Sequence, residues 1–220
     1  MTKQKRYTNL VLFLLLMLLM CCGQDSNEQH NFFSNNLSAL LDSTVFDRRR
    51  LVLPSPEDFK DSTSQNNLKE RVKIKSNIEL PALTIAIIDS IKPISDLDSF
   101  FKKIKQFKSN SNFESTFENE VIDDEIHKID ITKFKVDDSK YELIYYSDFE
   151  KKKGLSGNII KTDNTPICTL SKIYFNKEQN LGVFRMSIVY SGLDGYGVIV
   201  FIKKENGNWV IDKIIEEWIA

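Results

Sequence analysis

The sequence predicts an α+β domain: a C-terminal antiparallel β-meander of about four to six strands, with two amphipathic helices packed on one of its faces. Three observations lead there. From Tyr141 onward the apolar residues recur with period two, as in Phe184, Met186, Ile188 and Tyr190. Turn signals separate these runs, above all Asn206–Gly207, since a type I′ hairpin turn needs positive φ and this pair tolerates it. Upstream, Leu97, Phe100, Phe101, Ile104 and Phe107 recur at helical spacing with lysines between them.

The chain opens on a leader. Lys3, Lys5 and Arg6 precede an apolar run, Leu10–Met20, that ends in Cys21–Cys22–Gly23. A basic head, a short apolar run and small residues compose a bacterial export signal. The run is too short to span about 30 Å of hydrocarbon, which takes roughly 20 helical residues. A cysteine at its end is the acceptor expected of a bacterial lipoprotein, and Cys22 is the expected lipidation site, with 1–21 removed as signal peptide. Leu19, Met20 and Cys21 stand where small residues are usual, a relaxed form of the acceptor pattern; a plain cleaved signal or an uncleaved anchor is the alternative. Several acyl chains hold where one is marginal, so the expected location is the cell envelope, lipid-anchored, with the outer membrane favoured.

Residues 22–67 read as lipid anchor and mostly flexible tether. Gln24–Asn36 is polar and Asn-rich, a short helix is expected over Leu37–Ser43, and Asp58–Asn67 reads as a loop. The globular domain is expected over 68–220. Leu68–Ile74 suits a strand or one helical turn. Leu83–Ile91, bracketed by Pro81 and Pro93, has the dense β-branched composition of a buried strand. Ser95–Asp98 carries helix-start chemistry for the helix through Phe107, and Phe113–Lys128 suggests a second. Strands are expected at Tyr141–Phe149, Ile167–Phe175, Leu181–Tyr190, Tyr196–Lys203 and Trp209–Trp218, with Lys151–Gly157 as a charged connector. Short turns between consecutive strands make the pairing antiparallel.

Leader removal takes the formal net charge from −1 to −4, which gives no case for nucleic acid. Beyond Cys22 only Cys168 remains, so the mature domain has no internal disulfide and depends on its core. In phase with Leu170, Cys168 reads as a small buried hydrophobe rather than a nucleophile, for which only His127 would be a base. On a helix, Asp123, His127 and Asp130 would share one face and offer a metal two carboxylates and an imidazole. Ile122, Ile126 and Ile129 follow the same period, so an ordinary amphipathic helix explains the spacing, and His30 lies in the presumed tether. No metal and no cofactor is therefore expected, and no catalytic residue is assigned. Gly154–Gly157 is no nucleophile elbow, and no phosphate-cradling glycine loop is present.

The last third of the chain resembles a known group. Ser171–Asn176, the glycine turn Ser191–Gly197, Gly207–Trp209 and Trp218–Ala220 are similar to motifs in a family of uncharacterised Bacteroidetes lipoproteins and exported proteins. Cysteines are frequent in that family's glycine turn and are absent here. The resemblance covers roughly the last 55 residues and implies a fold and a location, with no known activity.

Together these readings lead to a membrane-tethered envelope protein that binds a protein or glycan partner, with Tyr141, Tyr145, Tyr146, Tyr174, Tyr190, Tyr196, Trp209 and Trp218 as aromatic contact candidates, most of them expected to fill the core and its rim. A carboxylate-dependent hydrolase of glycans and an immunity or inhibitor lipoprotein remain open alternatives.

Overall fold

The computed structural model describes residues 24–52, 73–74, 79–106, 125–155, 165–192 and 194–220. The leader, Cys22, the loop expected at 58–67 and most of the helix expected over Phe113–Lys128 lie outside them. The described elements form an α+β domain with three α-helices and a large, mostly antiparallel sheet. The helices are α1 (Gln24–Thr44), α2 (Leu97–Gln106) and α3 (Tyr146–Leu155). The strands are β1 (Leu51–Val52), β2 (Lys73–Ile74), β3 (Leu83–Ile87), β4 (Ser90–Ile91), β5 (His127–Lys128), β6 (Tyr141–Tyr145), β7 (Ile167–Leu170), β8 (Tyr174–Phe175), β9 (Leu181–Ser191), β10 (Asp194–Glu205) and β11 (Asn208–Ile219).

The main sheet runs β11–β10–β9–β7–β3–β6, and β8 joins β9 beside β7. From β7 to β11 the pairing is antiparallel, as the short turns require, with Asn206 and Gly207 both at positive φ in the β10–β11 hairpin. The meander does not extend across the whole sheet. β3 pairs in parallel with both β6 and β7, so the sheet is mixed. β3 is buried at four of its five positions, as an interior parallel strand must be. Two small antiparallel ribbons, β1–β2 and β4–β5, lie beside it.

The tether reading fails first. Gln24–Thr44 is one helix of 21 residues, and the short helix expected over Leu37–Ser43 is only its last part. Phe32, Phe33, Leu37, Leu40 and Leu41 on α1 are all wholly buried. Their rings and methyls meet Phe184, Met186 and Ile188 of β9 and Val200 and Ile202 of β10. Phe33 stands edge-on to Phe184 with centroids 5.2 Å apart. The same helix face carries Gln29 and Thr44, buried but hydrogen-bonded: Gln29 Oε1 accepts from the Ile173 N–H, and Thr44 Oγ1 donates to the Leu40 carbonyl. The folded unit therefore includes Gln24–Thr44 from the region read as a tether, while 53–67 lie outside the described residues.

α1 and α2 lie in different core clusters. Phe100 and Ile104 of α2 pack with Tyr174, Val183, Ile199 and Phe201 in a second cluster. Along β10 the residues alternate between the two clusters, with Val198, Val200 and Ile202 toward α1 and Ile199 and Phe201 toward α2. α2 starts where its sequence predicts: the Asp96 carboxylate accepts from the Ser99 N–H at 2.9 Å, and Lys103 and Lys105 close the last turn.

Two further expectations are corrected. The strand expected over Tyr141–Phe149 stops at Tyr145, and α3 begins at Tyr146 and runs through most of the supposed connector Lys151–Gly157. Asp89 causes the switch, because its carboxylate accepts from Ser147 N–H and Oγ and caps the new helix. The strand expected over Ile167–Phe175 is split into β7 and β8, both paired to β9.

An ion cluster locks α2 to the sheet. The β10–β11 register slips between Gly197 and Val198, which pair with Trp218 and Glu216 and leave Glu217 as the extra residue of a β-bulge. Arg185 grips the Glu217 carboxylate through Nε and Nη2, both at 2.6 Å, and Lys103 Nζ of α2 reaches it at 3.0 Å. The Glu217 side chain is only 1% exposed. Burial pushes its carboxyl up, but the hydrogen bonds and charges of Arg185 and Lys103 outweigh burial and hold it below the usual carboxylate range.

Two outcomes follow from this packing. Phe33→Ala should lower unfolding free energy in urea by about 3–5 kcal/mol, because the site is wholly buried and rigidly lined; a loss near zero would return α1 to a tether. For Glu217, a pKa lowered on folding contributes stability above the unfolded carboxylate value of about 4.3 and loses it as the pH falls through the folded value. Glu217→Gln should cost about 1–3 kcal/mol at neutral pH, less than a fully buried pair because both cations reach solvent. It should also flatten the acid limb of the stability curve between about pH 5 and 3, measured by denaturant melts across pH.

Candidate functional site

The concave feature with the most chemistry lies between the N-terminal half of α1 and the β4–β5 ribbon, a cleft of 160 Å³. α1 contributes Gln29, His30 and Phe33; β4 contributes Ile91; β5 and the chain after it contribute His127, Lys128, Ile129 and Asp130. Local bonds set these positions. Ile91 pairs with His127 and Ser90 with Lys128, the Ile129 N–H donates to the Asp89 carbonyl at 3.0 Å, and the Lys135 N–H donates to the Ser34 carbonyl of α1. Phe134, carried between these ties, lies against Phe33 and His30 with centroids 6.4 and 6.5 Å away.

Asp130 caps the 3-10 turn Ile131–Lys133: its carboxylate accepts from Thr132 N–H and Oγ1 and pairs with Lys133 Nζ at 3.4 Å. These hydrogen bonds, first that of Thr132, hold its carboxyl below the usual range. The helical face expected to align Asp123, His127 and Asp130 does not form, because His127 is in a strand and Asp130 is a cap; Asp123 lies outside the described residues. Among the described residues no three His, Cys, Asp or Glu side chains converge as metal ligands. What the structure does bring together is His127 with His30, the one other histidine of the chain. Sequence reasoning placed His30 in a tether and missed this, since the buried face of α1 is interrupted by Gln29 and flanked by asparagines.

Four of the eight aromatic contact candidates are buried in the core. Tyr141, Tyr174, Tyr190 and Trp209 are at most 8% exposed. Their polar atoms tie elements together: Tyr190 Oη accepts from the Phe46 N–H and donates to its carbonyl, Tyr174 Oη accepts from the Ile94 N–H, and Tyr141 Oη donates to Asp42. Trp209 Nε1 donates to Glu28 of α1, which also pairs with Lys204. Arg48 stacks on the Tyr190 ring and pairs with Asp194. Trp218 is different. It is 37% exposed beside Ile219 at 70%, and its indole lies where a Cβ on Gly197 would be.

Cys168 is wholly buried in β7, paired with Ile188 of β9 and Ile87 of β3, and burial pushes its thiol up to about 12. Lys151, expected in a solvated loop, is on α3, exposed and bonded to Asp148 at 3.1 Å.

No family model, curated protein or solved structure matches this chain.

Reactivity tests the placement of the buried thiol. In a chain carrying Cys21→Ser and Cys22→Ser, Cys168 is the sole sulfhydryl. It should resist an aromatic disulfide reagent at about pH 8 and react fully once denaturant is added. Prompt reaction in the native state would place it outside the core.

Proposed function

We propose that this chain is a lipoprotein of the bacterial cell envelope, acylated on Cys22, whose domain binds a protein or glycan partner. The observation that carries the reading is the position of Cys22, at the end of a short apolar run and two residues before Gln24, the first residue of α1. α1 is no tether but part of the core, and Glu28 on its second turn is held by Lys204 and Trp209 at the β10–β11 hairpin. A lipid on Cys22 would thus lie within roughly 15 Å of that hairpin, given about 1.5 Å per helical residue and 3.5 Å per extended one. The domain would be moored with one end of its sheet against the headgroups. Among the described residues no helix is long and apolar enough to cross a membrane.

β11 leads away from the hairpin for 12 residues and ends in the exposed Trp218 and Ile219. These offer a partner an aromatic and an aliphatic contact at the end far from the bilayer, and tryptophan is enriched where interfaces carry most of their energy. The resemblance of Ser171–Asn176 and Trp218–Ala220 to envelope lipoproteins supports the same location.

Metabolic labelling with palmitate tests the anchor. Wild type and Cys21→Ser should incorporate label and Cys22→Ser should not. Label absent from all three would end the lipoprotein reading. For the partner, crosslinked envelope extracts should yield a specific species with wild type, reduced about tenfold by Trp218→Ala and absent from an anchor-only control.

A further inference from the structure

The cleft between α1 and the β4–β5 ribbon holds hydrogen-bond donors that the fold does not use. Among the described residues the His127 imidazole has no hydrogen-bond partner, and Lys128, an exposed residue of the same lining, has no carboxylate partner. Gln29 spends its Oε1 on the Ile173 N–H, which leaves its amide N–H groups without a partner there. The one carboxylate on the wall, Asp130, is already engaged by Thr132 and neutralised by Lys133. The polar part of the cleft therefore carries an excess of positive charge and donors. The rest is apolar: Phe33 and Ile91 are core residues, and Phe134 packs against them.

From this juxtaposition the geometry points to a binding site for a small organic carboxylate, its charge set against Lys128 and His127 and its apolar body against Phe134 and Ile91. Size agrees. A cavity of about 150 Å³ admits benzene, so 160 Å³ takes an aromatic or short branched body of about six to nine heavy atoms. A single lysine with neighbouring donors suits a monoanion, and the apolar wall favours a carboxylate with a hydrophobic body over a fully hydrated inorganic anion. Lys128 and the two histidines would fix orientation while the rings supply contact area. The proposal does not depend on acylation of Cys22.

The test uses the full chain in a mild detergent, with ring-labelled histidine. The His30 and His127 signals are assigned from His30→Gln and His127→Gln. Sodium benzoate is titrated at a single fixed pH. Sodium acetate is the charge without the body, and benzyl alcohol the body without the charge. Benzoate should shift both histidine signals saturably, and acetate and benzyl alcohol should each bind at least about tenfold more weakly, the loss of one 1.4 kcal/mol interaction. Lys128→Met, at an exposed position, should fold as wild type and weaken benzoate at least about fivefold. The proposal is overturned if benzoate moves neither signal, or binds Lys128→Met as tightly as wild type. It is also overturned if zinc moves both signals while benzoate moves none, which would make the cleft a cation site.

Discussion

The structure depends on one act of burial, the seating of α1 on the sheet. Five large apolar side chains of that helix are excluded from solvent altogether. At about 1.5–3 kcal/mol each, they are worth on the order of 10 kcal/mol, as much as the whole net stability of a typical domain. The gain is shared, because Phe184, Met186, Ile188, Val200 and Ile202 are buried by the same contact. With α1 away, that face of β9 and β10 would lie open to water.

The middle of β10 is apolar on both sides, and this is why α1 and α2 can settle on opposite faces of it. Polar groups then fix how the layers sit. Glu28 with Lys204 and Trp209, Asp42 with Lys140 and Tyr141, and Arg48 with Asp194 and Tyr190 each join residues remote in sequence. Pairs of this kind that reach solvent contribute about 1 kcal/mol or less apiece, so their role is alignment more than cohesion. Glu217 stands apart because it is buried, and the bulge that frees it from the β11 alternation places it where Arg185 and Lys103 meet.

What the sequence revealed follows from how local each signal is. The Asn206–Gly207 hairpin, the alternation in β9, the helical spacing of α2 and the burial of Cys168 are all written within a dozen residues, and all appear in the structure. α1 was hidden because its inward face begins and ends on Gln29 and Thr44, polar residues made acceptable by hydrogen bonds to Ile173 and Leu40. The turn from β6 into α3 was hidden because Tyr141–Tyr146 favours strand, and the cap that overrides it comes from Asp89, far back in the chain. Parallel pairing of β3 with β6 and β7 leaves no local mark beyond an apolar run. The cleft was illegible for the same reason, since His30 and His127 meet only once α1 and the β4–β5 ribbon are in place.

The union of Glu28 with Trp209 spans 181 residues. The first described helix is thus completed by the last described strand, and the core on that face is unfinished without either. Contacts so distant in sequence slow folding, because a long loop must be closed before they form. Such a core closes as a latch does, only when its two remote halves are both at hand.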